Sequence, residues 1–341
     1  MTNNNEAAIG VVIIGRNEGE RLKLCIESVR GWCEQIVYVD SNSTDGSAEW
    51  AVNQGLNTVS LDLSIPLTAA RARNSGFERL ITTHKSIELV HFIDGDCELA
   101  PGWLERASTK MHERLDLAVV CGQLRELHPE QSIYNRLMAI EWLRPAGEVD
   151  ACGGIFMIRR AAFEEVGRFN PEIPTGEEPD LCRRLRAKQW KIMRMAEIMA
   201  THDAAITSFR QWWQRASRTG YASMDLSIRH GFASDSPYVH YIQRARLWGL
   251  YLPTLALALG LIVGLIYKIW IGFLVIALIF LIYPLQLVRV ALRLRGQGVS
   301  WGTALAYGWF MIISKWAELR GQWRFSHDHP QLVARSKKSG M

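Results

Sequence analysis

Two runs near the C-terminal end restrict the fold of this chain more than anything else in it. Gly249 to Tyr267 holds 19 residues without a charge and, after Lys268 alone, Ile269 to Val288 holds another 20. A helix needs roughly 20 apolar residues to cross about 30 Å of hydrocarbon, so each run is long enough. With almost no loop between them they make a helical hairpin whose outer ends share one side. Arg244 and Arg246 precede the hairpin, and Arg289, Arg293 and Arg295 follow it. The positive-inside tendency makes that side cytosolic and places the front of the chain there too. A buried hairpin of a soluble protein is disfavoured, because core helices are seldom free of charge over this length.

Charge is divided along the same line. Residues 229–341 carry 13 Lys/Arg against 3 Asp/Glu, and the rest of the chain 26 against 31. A basic, apolar back end suits an anionic membrane surface, while an acidic front argues against a nucleic-acid partner. Met1 to Glu6 has neither a basic nor an apolar region and does not read as a signal peptide. The expected divisions are an α/β domain over 7–225, a juxtamembrane linker over 226–247, the hairpin over 248–290, an amphipathic interfacial segment over 296–325 and a flexible basic tail over 326–341. The run Trp301 to Ile313, followed by Lys315, Trp316, Arg320, Trp323 and Arg324, suggests an interfacial or re-entrant helix more than a third span. Six scattered cysteines with no C-x-x-C suggest reduced, cytosolic thiols and no zinc site.

The front of the chain alternates short apolar runs with amphipathic stretches. Residues 10–14, 36–39, 58–61, 89–93 and 117–121 read as strands buried on both faces. Leu22, Cys25, Ile26 and Val29 fall at i, i+3, i+4 and i+7, which makes 18–30 a helix; others are expected at about 47–54, 68–82 and 101–114. Repeated strand-helix-strand units imply a mostly parallel, Rossmann-like sheet that binds ligands beyond the carboxyl ends of its strands.

Acidic motifs sit at those ends. Phe92-Ile93-Asp94-Gly95-Asp96 closes the fourth apolar run, and in extended chain Asp94 and Asp96 project the same way. Two such carboxylates can hold Mn²⁺ or Mg²⁺ and leave positions for phosphate oxygens; the plainer alternative is a solvated turn. Asp40 ends the second run, where it can accept from a ribose or base or simply cap a turn. Gly15-Arg16-Asn17-Glu18 belongs to the same rim. Arg71 and Arg73 suit a diphosphate, or are surface charge. Glu177, Glu178 and Asp180 cluster at a helix start, where a dipole accounts for one acid more easily than three. Gly153 and Gly154 allow close approach of a ligand on the acceptor side, or tight packing. Arg215 and Arg218 lie in an aromatic-rich stretch that could close over a diphosphate or acceptor sugar, or anchor at an interface.

In order, GRNE, VDSNSTDGS, ARARNSG, FIDGD, CGGIFMIRR, VGRF and GEEPDLCRRLR resemble a family 2 glycosyltransferase with the GT-A fold, from about Ile9 to about Ala222. The resemblance implies nucleotide-sugar binding, with Glu18 and Asp40 on the nucleoside, Arg73 near the diphosphate, and Asp94 and Asp96 holding ribose and metal. It implies inversion at the anomeric carbon. The family usually reads E-D where this chain has Glu177-Glu178, and the Asp is the base, so Glu178 takes that role and Glu177 competes for it. His202 resembles a late metal-ligating histidine of some GT-A enzymes. The Q-x-x-R-W string of processive synthases is absent.

The expected activity is metal-dependent transfer from a UDP-, GDP- or dTDP-sugar to a hydroxyl of a lipid-linked or envelope glycan, by an enzyme anchored in the cytoplasmic membrane with its catalytic domain in the cytosol. Alternatives are a polyprenyl-phosphate glycosyltransferase, whose ionised acceptor needs no base, and a non-catalytic nucleotide-sugar sensor or membrane scaffold. A nicotinamide dehydrogenase is disfavoured, because no G-x-G-x-x-G follows the first apolar run.

Overall fold

The computed structural model describes residues 8–232 and 236–338. Met1 to Glu6 and the last three residues of the tail lie outside them. The chain divides into two compact units, one of Met1–Pro129 with Met138–Ala205 and one of Glu130–Leu137 with Ile206–Met341.

The first unit is a nine-stranded sheet of β1 (Ala8–Gly15), β2 (Ile36–Asp40), β3 (Asn57–Ser60), β4 (Ile87–Asp94), β5 (Cys97–Leu99), β6 (Leu117–Glu126), β7 (Gly147–Glu148), β8 (Phe156–Arg159) and β9 (Lys191–His202). Their order is β3-β2-β1-β4-β8-β6-β9-β5, with β7 paired to β9. The five apolar runs are all strands, but β3, at the edge of the sheet, has no buried residue, so the run 58–61 is not enclosed on both faces as expected. Parallel pairing joins β3, β2, β1 and β4, and β6 with β9, while β5, β7 and β8 run the other way. The sheet is mixed and mostly parallel. Helices α1 (Glu20–Arg30), α2 (Ser47–Asn53), α3 (Ala69–Thr83) and α4 (Trp103–Glu113) form where periodicity places them.

α1 buries Leu22, Cys25, Ile26 and Val29 against the sheet. Burying such side chains contributes about 1.5–3 kcal/mol each. Thr68 caps α3 by accepting from the Arg71 N–H at 3.2 Å. Gly76 lets α3 lie close on the sheet, since a Cβ there would collide with Val12 and come within 2.9 Å of Val39. That close seat carries Arg73, one turn earlier, under the strand ends. Three further helices are α5 (Ile133–Trp142), α6 (Arg160–Glu165) and α7 (Glu177–Ala187).

In the second unit, Ser208 and Gln211 form a capping box that starts α8 (Phe209–His230). Helices of 30 residues, Pro237–Ile266, and 28 residues, Ile269–Gly296, are long and apolar enough to cross a membrane. They pack at Gly260 and Gly272, where a Cβ on Gly272 would collide with the Gly260 carbonyl oxygen. Leu261, Leu265, Ile269, Phe273 and Leu285 are among the large apolar side chains they leave exposed. Trp301–Asp328 is one continuous helix, and Pro330–Lys338, within the stretch expected to be a loose tail, is helical as well.

One buried group of the first unit bears on stability. His91 on β4 is fully enclosed, and neither ring nitrogen has a hydrogen-bond partner among the described residues. Burial lowers its pKa to about 3, against about 6.5 in an unfolded chain. As pH falls below about 6.5 the unfolded chain takes up the proton first, so stability is present above that pH and is lost toward pH 3, at about 1.4 kcal/mol per pH unit at most. His91→Leu should remove this sensitivity, so that the melting-temperature gap between variant and parent widens from pH 7 to pH 5. A gap that does not change with pH would refute the assignment.

Candidate active site

Strand register assembles the rim. Gly15 pairs with Asp40 across β1 and β2, and Ile14 with Asp94 across β1 and β4, so three strand ends stand side by side. β5 then turns back to pair with β9, setting Cys97 opposite His202 and bringing Asp96 to the imidazole.

Arg73 is the hub. It is 3% exposed, and its guanidinium reaches Asp94 Oδ1 at 2.8 Å and Glu177 Oε1 at 2.7 Å. It also donates to the Gly154 carbonyl oxygen at 3.2 Å and lies 5.7 Å from the centre of the Phe169 ring. Asn74 holds Phe169 through both amide atoms, donating to its carbonyl at 2.8 Å and accepting from its N–H at 3.2 Å. A Cβ on Gly154 would stand 3.1 Å from both Arg73 Nη2 and Asp94 Oδ2, so any larger residue would press on this ion pair. Burial opposes the charge of Arg73, but Asp94 and Glu177 outweigh it and raise its pKa. Burial also raises the carboxyl of Asp94, with Asp96 adding to the rise and Arg73 opposing it.

Asp96 accepts from or shares a proton with His202 Nε2 at 3.2 Å, and Cys97 Sγ is 3.3 Å from its other oxygen. Burial would raise the Asp96 carboxyl, but His202 outweighs it and holds it below the usual range. Trp142 stacks on His202 with ring centres 4.6 Å apart and planes 7° from parallel. Carboxylate oxygens on either side of Gly95, with an imidazole beside one of them, are hard donors that fit Mn²⁺ or Mg²⁺.

Glu18 leans over this group. Its Cγ lies 3.2 Å from where a Cβ on Gly95 would stand, and Arg21 pairs with it at 2.6 Å. Burial and then Asp96 raise its pKa, against Arg21. Arg16, on the same loop, is exposed. Asp40 is buried and accepts from Tyr38 Oη at 2.9 Å and the Ser43 N–H at 2.8 Å.

The three acids of α7 part company. Glu177 turns to Arg73. Glu178 is buried, and its Oε1 accepts from the Cys152 N–H at 2.6 Å and from the thiols of Cys152 and Cys182 at 3.1 and 3.0 Å. Burial raises the Cys152 thiol well above its usual range and the Cys182 thiol to about 11, so both stay protonated donors. Asp180 is also buried and pairs with Arg184 at 2.7 Å along the helix. Arg71 clamps its own loop, donating to the carbonyls of Asp62, Ile65 and Pro66. Gly153 adopts a φ of 97° in the loop that carries Cys152. Arg215, half-buried, and Arg218, exposed, belong to α8 in the second unit.

Periodicity gives no sign of Trp142, Asn74, Cys152 or Cys182. Each meets its partner at a separation of 26 to 95 residues along the chain, apart from Cys182, whose four-residue spacing from Glu178 is a helix neighbour's.

Residues 10–167 match the family described as Glycosyl transferase family 2. Over 238 residues the chain is 25% identical to the pre-mycofactocin glycosyltransferase of Mycobacterium tuberculosis, covering 65% of this chain and 48% of that protein. It is 22% identical over 245 residues to glycosyltransferase AglE of Haloferax volcanii, covering 66% and 78%. The chain thus spans about half the length of the mycobacterial relative. Among solved structures it is similar to a mannosyltransferase from Pyrobaculum calidifontis in complex with GDP-Man and Mn²⁺, with a TM-score of 0.54 and 17% identity over 93% of this chain and 87% of that one. At that identity the likeness is one of fold.

Removing Arg73 would leave Asp94 and Glu177 facing each other without a counter-charge. Breaking a buried pair in this way costs about 3–5 kcal/mol. Arg73→Met should therefore lower stability in urea unfolding by about that much, and adding Glu177→Gln should recover part of the loss. Equal stability of parent and Arg73→Met would show that the bridge holds nothing.

Proposed function

Residues 10–167 of this chain are a family 2 glycosyltransferase domain on a GT-A fold, and from that premise we propose that the chain transfers a sugar, with inversion, from a nucleotide-sugar donor to a hydroxyl of a lipid-linked or cell-envelope glycan. The observation that carries this reading is buried Arg73 pairing with both Asp94 and Glu177 while Asp96, two residues along from Asp94, pairs with His202.

Asp94, Asp96 and His202 would hold Mn²⁺ or Mg²⁺. When bound, that cation supplies positive charge to the departing diphosphate. The complex of the Pyrobaculum mannosyltransferase with GDP-Man and Mn²⁺ supports the same donor class and metal. Glu18 and Asp40 line the nucleoside side of the rim. Arg73, enclosed between Asp94 and Glu177, orients both carboxylates and leaves little of itself for the donor. Trp142 holds the His202 ring in one plane by stacking.

On the acceptor side, the open backbone at Gly153 and Gly154 admits the sugar beside the strand ends. Three donors on Glu178 Oε1 fix that carboxylate's orientation, and Oε2, outside those hydrogen bonds, takes the proton from the acceptor hydroxyl. A polyprenyl-phosphate acceptor is the second reading. It is favoured by the engagement of both Glu177 and Glu178 with internal donors, since an ionised acceptor needs no base.

The two long apolar helices leave Leu261, Phe273 and Leu285 uncovered, and a membrane is the partner that would cover them. With arginines at both outer ends of the hairpin, the catalytic unit faces the cytosol.

Nucleoside diphosphate release by the detergent-purified chain, over a panel of UDP-, GDP- and dTDP-sugars, should depend on Mn²⁺ or Mg²⁺, stop with a chelator, and fall about 100-fold or more in Asp96→Asn. Release that is indifferent to chelation would refute the metal. Glu178→Gln should lower kcat by about 100-fold or more with little change in donor KM. Near-parental turnover would transfer the assignment to a phosphate acceptor.

A further inference from the structure

Beside the oxygen-rich rim lies a constellation of different chemistry. Cys152 Sγ and Cys182 Sγ are 3.5 Å apart and stand 3.1 and 3.0 Å from Glu178 Oε1. All three residues are buried, and their ligand atoms lie within 4.8 Å of one another. Glu178 and Cys182 share one face of α7 by their four-residue spacing, and the Cys152 N–H on the same oxygen pins the third member.

A tetrahedral ion bonded at about 2.3 Å to sulfur and about 2.0 Å to oxygen separates two sulfurs by about 3.8 Å and sulfur from oxygen by about 3.5 Å. The triangle observed is smaller by only a few tenths of an ångström. Side-chain adjustment therefore suffices to admit an ion.

We propose that Cys152, Cys182 and Glu178 form a second cation site, for a thiophilic ion of the Zn²⁺ class, and that its occupation withdraws Glu178 from the reaction. Thiolates select such an ion over Mn²⁺ or Mg²⁺, which the carboxylate and imidazole donors of the rim suit better. On binding, both thiols release their protons to solvent, the two S–H hydrogen bonds to Oε1 give way to bonds with the ion, and the fourth position goes to water. Two thiolates, a carboxylate and Zn²⁺ leave a net charge of −1. Buried Arg194 stands ready to balance it, donating to the Ala151 and Cys152 carbonyl oxygens at 2.9 and 3.4 Å. The binding half of this proposal stands on geometry alone; the inhibitory half rests on Glu178 being the base.

The test uses the full chain in detergent, freed of metal, with Co²⁺ as the spectroscopic probe and Zn²⁺ as competitor. A cobalt–thiolate charge-transfer band should saturate at one equivalent, disappear on adding Zn²⁺, persist in Asp96→Asn and be lost in Cys152→Ser/Cys182→Ser. Absence of the band from the parent, or its survival in the double variant, overturns the site. Should the double variant not fold, Cys182→Ala with a parental circular dichroism spectrum gives the same decision. In the release assay with saturating Mn²⁺, Zn²⁺ should slow the parent by at least about tenfold, and Cys182→Ala much less, each relative to its own zinc-free rate. A band without inhibition leaves the site standing and overturns the inhibitory role, while the Glu178→Gln assay decides separately whether Glu178 is the base.

Discussion

The buried guanidinium of Arg73 ties the rim together. It draws on three separated stretches of chain, α3 from which it projects, the end of β4 through Asp94, and the start of α7 through Glu177. A charge enclosed this far is tolerated only if paired and hydrogen-bonded, and two carboxylates would repel each other without it. Arg73 therefore makes the acidic rim possible. It holds opposed negative charges at fixed positions in a place where charge separation costs more than in water.

Sheet topology supplies the rest of the scaffold. Parallel strands bring β1, β2 and β4 to one edge, which is why Glu18, Asp40 and Asp94 are neighbours although about 75 residues separate the first from the last. The reversed strand β8 enters between β4 and β6, and its approach loop delivers Gly154 to the Arg73–Asp94 junction. β9 runs far enough along β6 to put His202 against Asp96. The reversed strand β8 thus brings backbone to the rim, and β9, through its antiparallel pairing with β5, brings an imidazole.

The two candidate cation sites differ in softness as well as position. Asp96 and His202 offer oxygen and nitrogen beside the single thiol of Cys97, whereas Cys152, Cys182 and Glu178 offer two sulfurs and one carboxylate. In the proposed mechanism Glu178 connects the second site to the chemistry, since the thiols that steady it are the groups a soft ion would claim.

Local pattern was enough to find five strands, the four helices between them and the uncharged hairpin, because each is written in the spacing or length of neighbouring residues. The aspartates at the end of β4 were visible for the same reason. Register and topology were not. β5, β7 and β8 are short strands whose pairing depends on distant partners, and β9 is not among the five apolar runs. Nothing in the sequence told that Arg73 would be enclosed rather than facing a diphosphate, that Arg71 would clamp its own loop, or that Asp180 would pair with Arg184. Likewise, six scattered cysteines gave no hint that two of them meet around Glu178. Periodicity reports which face of an element is apolar; which side chains become partners is decided by long-range contacts and by the cost of leaving a buried charge alone, and these exist only once the chain has folded.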